Sequence, residues 1–208
     1  MLVGHSLGGD EITAFAVAHP DRTAGVIYLD AAMDHAATLK QVGASSDALP
    51  VPSDITVEER SSPEAFRGYF RRTTGLVYPL GEVLALTVPG RNGLLRNRAA
   101  PRVNAAIVAA TVPPEFARVQ APVLALYSES TVADAFPWLT KASPEYARAS
   151  AVFHEQLLPM ILLERQKFAP ANTRATIDTF RAHHYQFLSH PDDTERRMRT
   201  FLASLLAR

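Results

Sequence analysis

One serine sits where the sequence could make it reactive. Gly4-His5-Ser6-Leu7-Gly8 fits the pattern G-x-S-x-G, in which a strand turns sharply into a helix and exposes a Ser hydroxyl at the apex. The flanking glycines are expected because strand and helix pack too closely there for larger side chains. A Ser hydroxyl is a poor nucleophile until a His takes its proton, and that His needs an acid to fix its tautomer. The chemistry on offer is therefore acyl transfer. The backbone N–H of Leu7, the residue after the Ser, is one expected oxyanion donor. The chain has seven His and no Cys, which excludes a thiol nucleophile, a disulfide framework and a Cys-ligated metal. His183 and His184 have no helical i,i+4 partner, so metal-dependent hydrolysis finds no site, and no cofactor is expected.

These residues need elements to hold them. Chance supplies G-x-S-x-G in roughly one chain of this length in fifteen, so the context has to carry the reading. An apolar stub, Met1 to Val3, precedes the Ser turn. Ile12, Phe15, Ala16 and Ala18 then mark a short amphipathic helix that His19-Pro20-Asp21 ends. Gly25-Val-Ile-Tyr-Leu29 reads as a buried strand, followed by Asp30. Strand, Ser turn, helix and strand make one parallel βαβ unit. Further on, Pro122–Tyr127 reads as a strand, and Ser143-Pro144-Glu145 as a helix start with Ser as N-cap. That helix should carry Phe153, Leu157, Met160, Ile161 and Leu162 on one side, with a kink at Pro159. Thr176–Phe180 reads as the final strand. Pro191 opens a last helix whose Met198, Phe201, Leu202 and Leu205 repeat at helical spacing.

Between Met33 and Arg118 the pattern changes. Prolines recur and apolar residues fall into short helical clusters, such as Phe66, Tyr69 and Phe70, or Val83, Leu84 and Leu86. Ser45–Ser62 is polar and weakly periodic, which predicts a mobile loop. The division expected is a core at 1–32, a helical insertion at 33–118 and the rest of the core at 119–208. With 208 residues, 47% hydrophobic and 20% charged, the chain is expected to make one globular domain, or one domain with an inserted lid. Lys+Arg and Asp+Glu stand at 21 each, which argues against a nucleic-acid partner. No apolar run approaches the ~20 residues of a membrane span. Met1-Leu-Val-Gly lacks the basic and apolar regions of a secretory leader, so a cytoplasmic location is the default expectation.

Four phrases, VGHSLGG at 3–9, GVIYLDAA at 25–32, APVLALYSE at 121–129 and AHHYQFLSHPDDTERRMRTFL at 182–202, resemble the α/β-hydrolases, and they run in that family's order. The resemblance implies an α/β fold with a mostly parallel sheet, an inserted helical cap, and a triad in the order Ser, acid, His. It implies His184 as the base, since the family's His directly precedes an aromatic residue and an apolar run, as in His184-Tyr185-Gln-Phe187-Leu188. His183 falls one residue short and reads as a supporting imidazole. His190 reads as the start of the last helix, His5 as a packing residue, and His19, His35 and His154 have no evident partner. For the acid the family offers two places. Asp30, just past the strand after the elbow helix, is favoured, with Glu129 and Asp134 past the later strand as alternatives. The family core also has strands before the elbow and a loop among them that gives the second oxyanion N–H. The sequence therefore reads as N-terminally truncated, and losing one oxyanion donor costs roughly 100- to 1000-fold in turnover.

Two functions are expected from these residues. One is a serine hydrolase that cleaves small esters through an acyl-enzyme. The alternative is an inactive remnant that acts as a binding or interaction protein. Either could form a homo-oligomer through the exposed edge of the sheet.

Overall fold

Short buried strands alternate with amphipathic helices, and that alternation builds a parallel sheet covered on both faces. Along the chain, β1 (Leu2–His5), α1 (Gly8–Ala18), β2 (Val26–Leu29) and α2 (His35–Ser45) are followed by α3 (Pro63–Thr74), α4 (Leu80–Leu86), β3 (Thr87–Pro89), β4 (Leu95–Asn97) and α5 (Pro101–Ala109). Then come β5 (Val123–Ser128), α6 (Val132–Ala135), α7 (Pro144–Val152), α8 (Leu158–Ala171), β6 (Ala175–Phe180), α9 (Gln186–Ser189) and α10 (Pro191–Leu206). This computed structural model describes residues 1–45 and 49–206. It forms two compact units: Met1–Ser46 with Thr111–Ser130 and Phe153–Arg208, and Asp47–Ala110 with Thr131–Val152.

The first unit is built on a four-stranded sheet of order β1-β2-β5-β6, parallel throughout. The inner strands β2 and β5 are buried at every residue. Successive side chains of a strand point to opposite faces, so each inner strand feeds two cores. Val26, Tyr28, Val123, Ala125 and Tyr127 face one core, where Ala16 of α1 and Phe168 of α8 cover them. Ile27, Leu29, Leu124 and Leu126 face the other, covered by Phe201 of α10 with Met198 and Leu205 beside it. Burying each of these large side chains contributes about 1.5–3 kcal/mol. α2 is tethered to α1 by His35 Nδ1 and Asp10 Oδ1, 2.8 Å apart.

In the second unit, α3 starts at Ser62, whose hydroxyl accepts the Ala65 N–H, and ends at Gly75 in the left-handed conformation (φ 73°). Phe66 and Val83 are its buried anchors, and Phe70 stacks on Tyr78 at 4.7 Å between ring centroids. β3 and β4 pair as an antiparallel hairpin, so this unit is not wholly helical. The turn Pro89-Gly-Arg-Asn-Gly93 carries that hairpin, with Gly93 at φ 77°.

Several side chains sit differently from their sequence pattern. Thr13, not Ala18, is buried on α1, because its hydroxyl meets the buried Tyr28 hydroxyl at 2.7 Å. Phe153–Leu157 is a π-helical turn that runs directly into α8, and Pro159 lies just after it. Leu162 is 44% exposed while Glu164 beside it is buried. Of the loop expected at 45–62, residues 46–48 lie outside the described residues. The part from Ser53 to Glu59 is held by Arg72, which donates to the Ser53 hydroxyl and to both Glu59 oxygens.

Candidate active site

Strand register brings two of the expected residues side by side. His5 at the end of β1 is paired with Leu29 at the end of β2, so Ser6 and Asp30 leave adjacent strands at the same level. Both take positive φ, 52° for Ser6 and 48° for Asp30, and they are the only non-glycine residues among those described to do so. Such conformations are sparsely populated and persist only where the surroundings hold them. At Ser6 the Gly9 N–H donates back to the Ser6 carbonyl at 2.8 Å, starting α1 at once. A Cβ on Gly4 would lie 2.6 Å from the Gly8 carbonyl oxygen, and one on Gly9 would strike the Ala31 carbonyl. Gly8, in contrast, faces open space. The close approach expected at both glycines of the pattern thus holds at Gly4, while its helix-side counterpart is Gly9.

Leu7 stands at the N-cap of α1, where backbone N–H groups have no helical partner and the helix dipole favours negative charge. His184 lies in the turn after β6. That turn is fixed at three places: Ser130 donates to the Ala182 carbonyl at 3.2 Å, Gln186 to the Leu126 carbonyl at 3.0 Å, and His5 Nε2 to the His184 carbonyl at 3.1 Å. Across 154 residues of sequence, His184 Nδ1 donates to Asp30 Oδ2 at 2.8 Å. A carboxylate only accepts, so Nδ1 carries the proton and the lone pair is left on Nε2, the atom a general base needs. The structure thus brings Asp30 to His184, and puts Ser6 on the strand end next to Asp30.

Asp30 is 6% exposed and well held. Its Oδ1 accepts from the Ser128 N–H at 3.3 Å and from Arg165 Nη2 at 3.2 Å. Glu129 is exposed, and the Asp134 carboxylate closes a capping box with Thr131 at the start of α6. His183 accepts the Tyr185 N–H on Nδ1 at 3.0 Å. His5 does more than fill space, since its ring lies 4.5 Å from that of His184 and 4.7 Å from that of Tyr185. Burial, and the neighbouring His184, push its pKa down from 6.5 to about 4, so it stays a neutral Nε2–H donor.

Arg165 was not legible as a site residue. It lies in the charged run Glu164-Arg165-Gln166-Lys167 of a helix, where an Arg reads as a solvated side chain. Among the described residues no group of three or more His, Asp or Glu could hold a metal ion. None of the described helices is long and apolar enough to cross a membrane.

No protein-family model matches the chain, and neither does any curated sequence. Solved structures do match. A marine microorganism esterase superposes at TM-score 0.53 with 16% identity, over 96% of this chain and 68% of its own. E-2-(acetamidomethylene)succinate hydrolase gives 0.55 and 18%, over 97% and 66%. A putative aryl esterase from Burkholderia cenocepacia gives 0.52 and 20%, over 100% and 65%. The chain spans about two thirds of the length of these proteins. It has the α/β-hydrolase fold.

Proposed function

We propose that this chain is a serine hydrolase of the α/β-hydrolase type that cleaves small carboxylic esters through an acyl-enzyme. Ser6 Oγ attacks the ester carbonyl carbon while its proton passes to His184 Nε2. The C–O bond to the alcohol then breaks, and the alcohol leaves with that proton. Water repeats the sequence in reverse order, giving up a proton to Nε2 and releasing the acid and free Ser6. Asp30 holds the imidazole in the Nδ1–H tautomer and faces the imidazolium as it forms. The Leu7 N–H is one donor to the oxyanion.

The observation that carries this reading is the 2.8 Å Asp30–His184 hydrogen bond at the strand ends where Ser6 also lies. A small-molecule ester is the partner, and the chemistry needs no cofactor. The test is intact mass after treatment with a fluorophosphonate, for the parent, Ser6→Ala and Asp30→Asn. One adduct on the parent and none on Ser6→Ala is expected. Asp30→Asn should label slower by a factor on the order of 1000 to 10,000, because the imidazole loses its tautomer. An unlabelled parent would overturn the reading in favour of a binding protein on the same fold.

A further inference from the structure

Arg165 touches the proposed acid yet has no part in the three-residue scheme. Its Nη2 donates to Asp30 Oδ1 at 3.2 Å and to the Ser128 carbonyl at 2.6 Å. The Ser128 N–H in turn donates to the same Oδ1 at 3.3 Å. Asp30, Ser128 and Arg165 therefore form a closed triangle of hydrogen bonds. Its effect is to occupy one carboxylate oxygen and leave Oδ2 alone facing His184 Nδ1. The guanidinium lies 4.7 Å from the centroid of the Tyr127 ring, and the Tyr127 hydroxyl is fixed to the Ala32 carbonyl at 2.7 Å. The arginine is thus seated between two strand ends and lies on a rigid aromatic face.

Charge points the same way. The side chains of Asp30 and Arg165 are 8% and 12% exposed, so neither is well solvated. A buried carboxylate needs a countercharge, and the Arg165 guanidinium supplies a permanent one at 3.2 Å. Its own Nε is buried with no hydrogen-bond partner among the described residues, so this placement does not maximise the arginine's own bonding.

We infer that Arg165 is a positioning residue for the hydrolase: it fixes the Asp30 carboxylate so that Oδ2 aligns the His184 imidazole. The inference rests on the triad reading above. Arg165 is a cation near a ring that becomes cationic in the reaction, which opposes catalysis. Alignment outweighs this, because without the arginine the one group left on Oδ1 among the described residues is the Ser128 N–H, at the long distance of 3.3 Å.

The test compares the parent with Arg165→Met and Arg165→Lys, using p-nitrophenyl acetate kinetics and the proton NMR signal of His184 Nδ1–H downfield of the amides. Arg165→Met should lower kcat by about tenfold to a hundredfold, the scale of a slightly misplaced catalytic group, with KM within about twofold. Its downfield signal should shift or broaden. Arg165→Lys keeps the charge and two donors, and should recover most of both. Parent-like kcat in Arg165→Met, or a fall in kcat with the proton signal unmoved, would overturn the inference and leave Arg165 a staple between α8 and β5. If Arg165→Met does not fold, Arg165→Gln decides by the same two readings, since it keeps a donor for the Ser128 carbonyl but no charge. The signal reports the Asp30–His184 bond whether or not Ser6 is acylated. Failure of the parent to react with fluorophosphonate would therefore sink the triad reading while this test still gives its answer.

Discussion

At His5, folding removes a proton rather than adding one. The imidazole has an ordinary pKa of 6.5 in the unfolded chain and about 4 when folded, first because burial penalises the cation and then because His184 lies beside it. Between these values the unfolded state binds more protons, so stability rises with pH across that window. The contribution is complete above about pH 6.5 and is lost as pH falls toward 4. Melting temperature should therefore drop as pH is lowered from 7 to 4. His5→Gln, which keeps an N–H donor for the His184 carbonyl without titrating, should flatten part of that slope. An equal slope in both proteins, followed by circular dichroism, would refute the assignment. His5 was visible in the sequence only as a neighbour of Ser6. Its link to His184 joins positions 179 residues apart, which no local pattern encodes.

At the scale of elements, the turn from β1 into α1 separates two adjacent glycines. Gly8 faces open space, so Gly8→Ala should leave stability unchanged or raise it by up to about 1 kcal/mol, the usual helix preference of Ala over Gly. Gly9→Ala drives a methyl into the Ala31 carbonyl and should cost at least about 1–3 kcal/mol, the price of overpacking. Urea melts of the two variants check this, and similar midpoints would contradict the geometry. The apolar runs at 26–29 and 123–127 were readable as strands because both of their faces are buried. The start of α7 was readable because Ser143 caps it, accepting the Tyr146 N–H at 3.1 Å. α8 was not. Its buried residues Met160, Glu164 and Phe168 include a charge, paired with Lys167, while Leu162 and Leu163 point outward. Apolar spacing placed Phe153 and Met160 inside, as they are, but it missed the buried Glu164 and put Leu162 on the buried side. The same inversion hid Arg165.

For the whole molecule, β1 is an edge of the sheet, with Met1 45% and Val3 46% exposed. Unpaired strand edges with apolar side chains invite pairing with another chain. The chain of 208 residues should self-associate through β1, and Val3→Lys should shift it toward monomer in light scattering after size exclusion. A monomeric parent would remove β1 as an interface. The register of the sheet also has a consequence in time. Ser6 and Asp30 are set by a single βαβ unit within the first 30 residues, whereas the Asp30–His184 bond closes a separation of 154. Local contacts form early in folding, and distant ones wait on loop closure. Ser6 and Asp30 therefore take their places before His184 arrives. In a refolding experiment, reactivity toward fluorophosphonate is a clock for the last segment of the chain to dock.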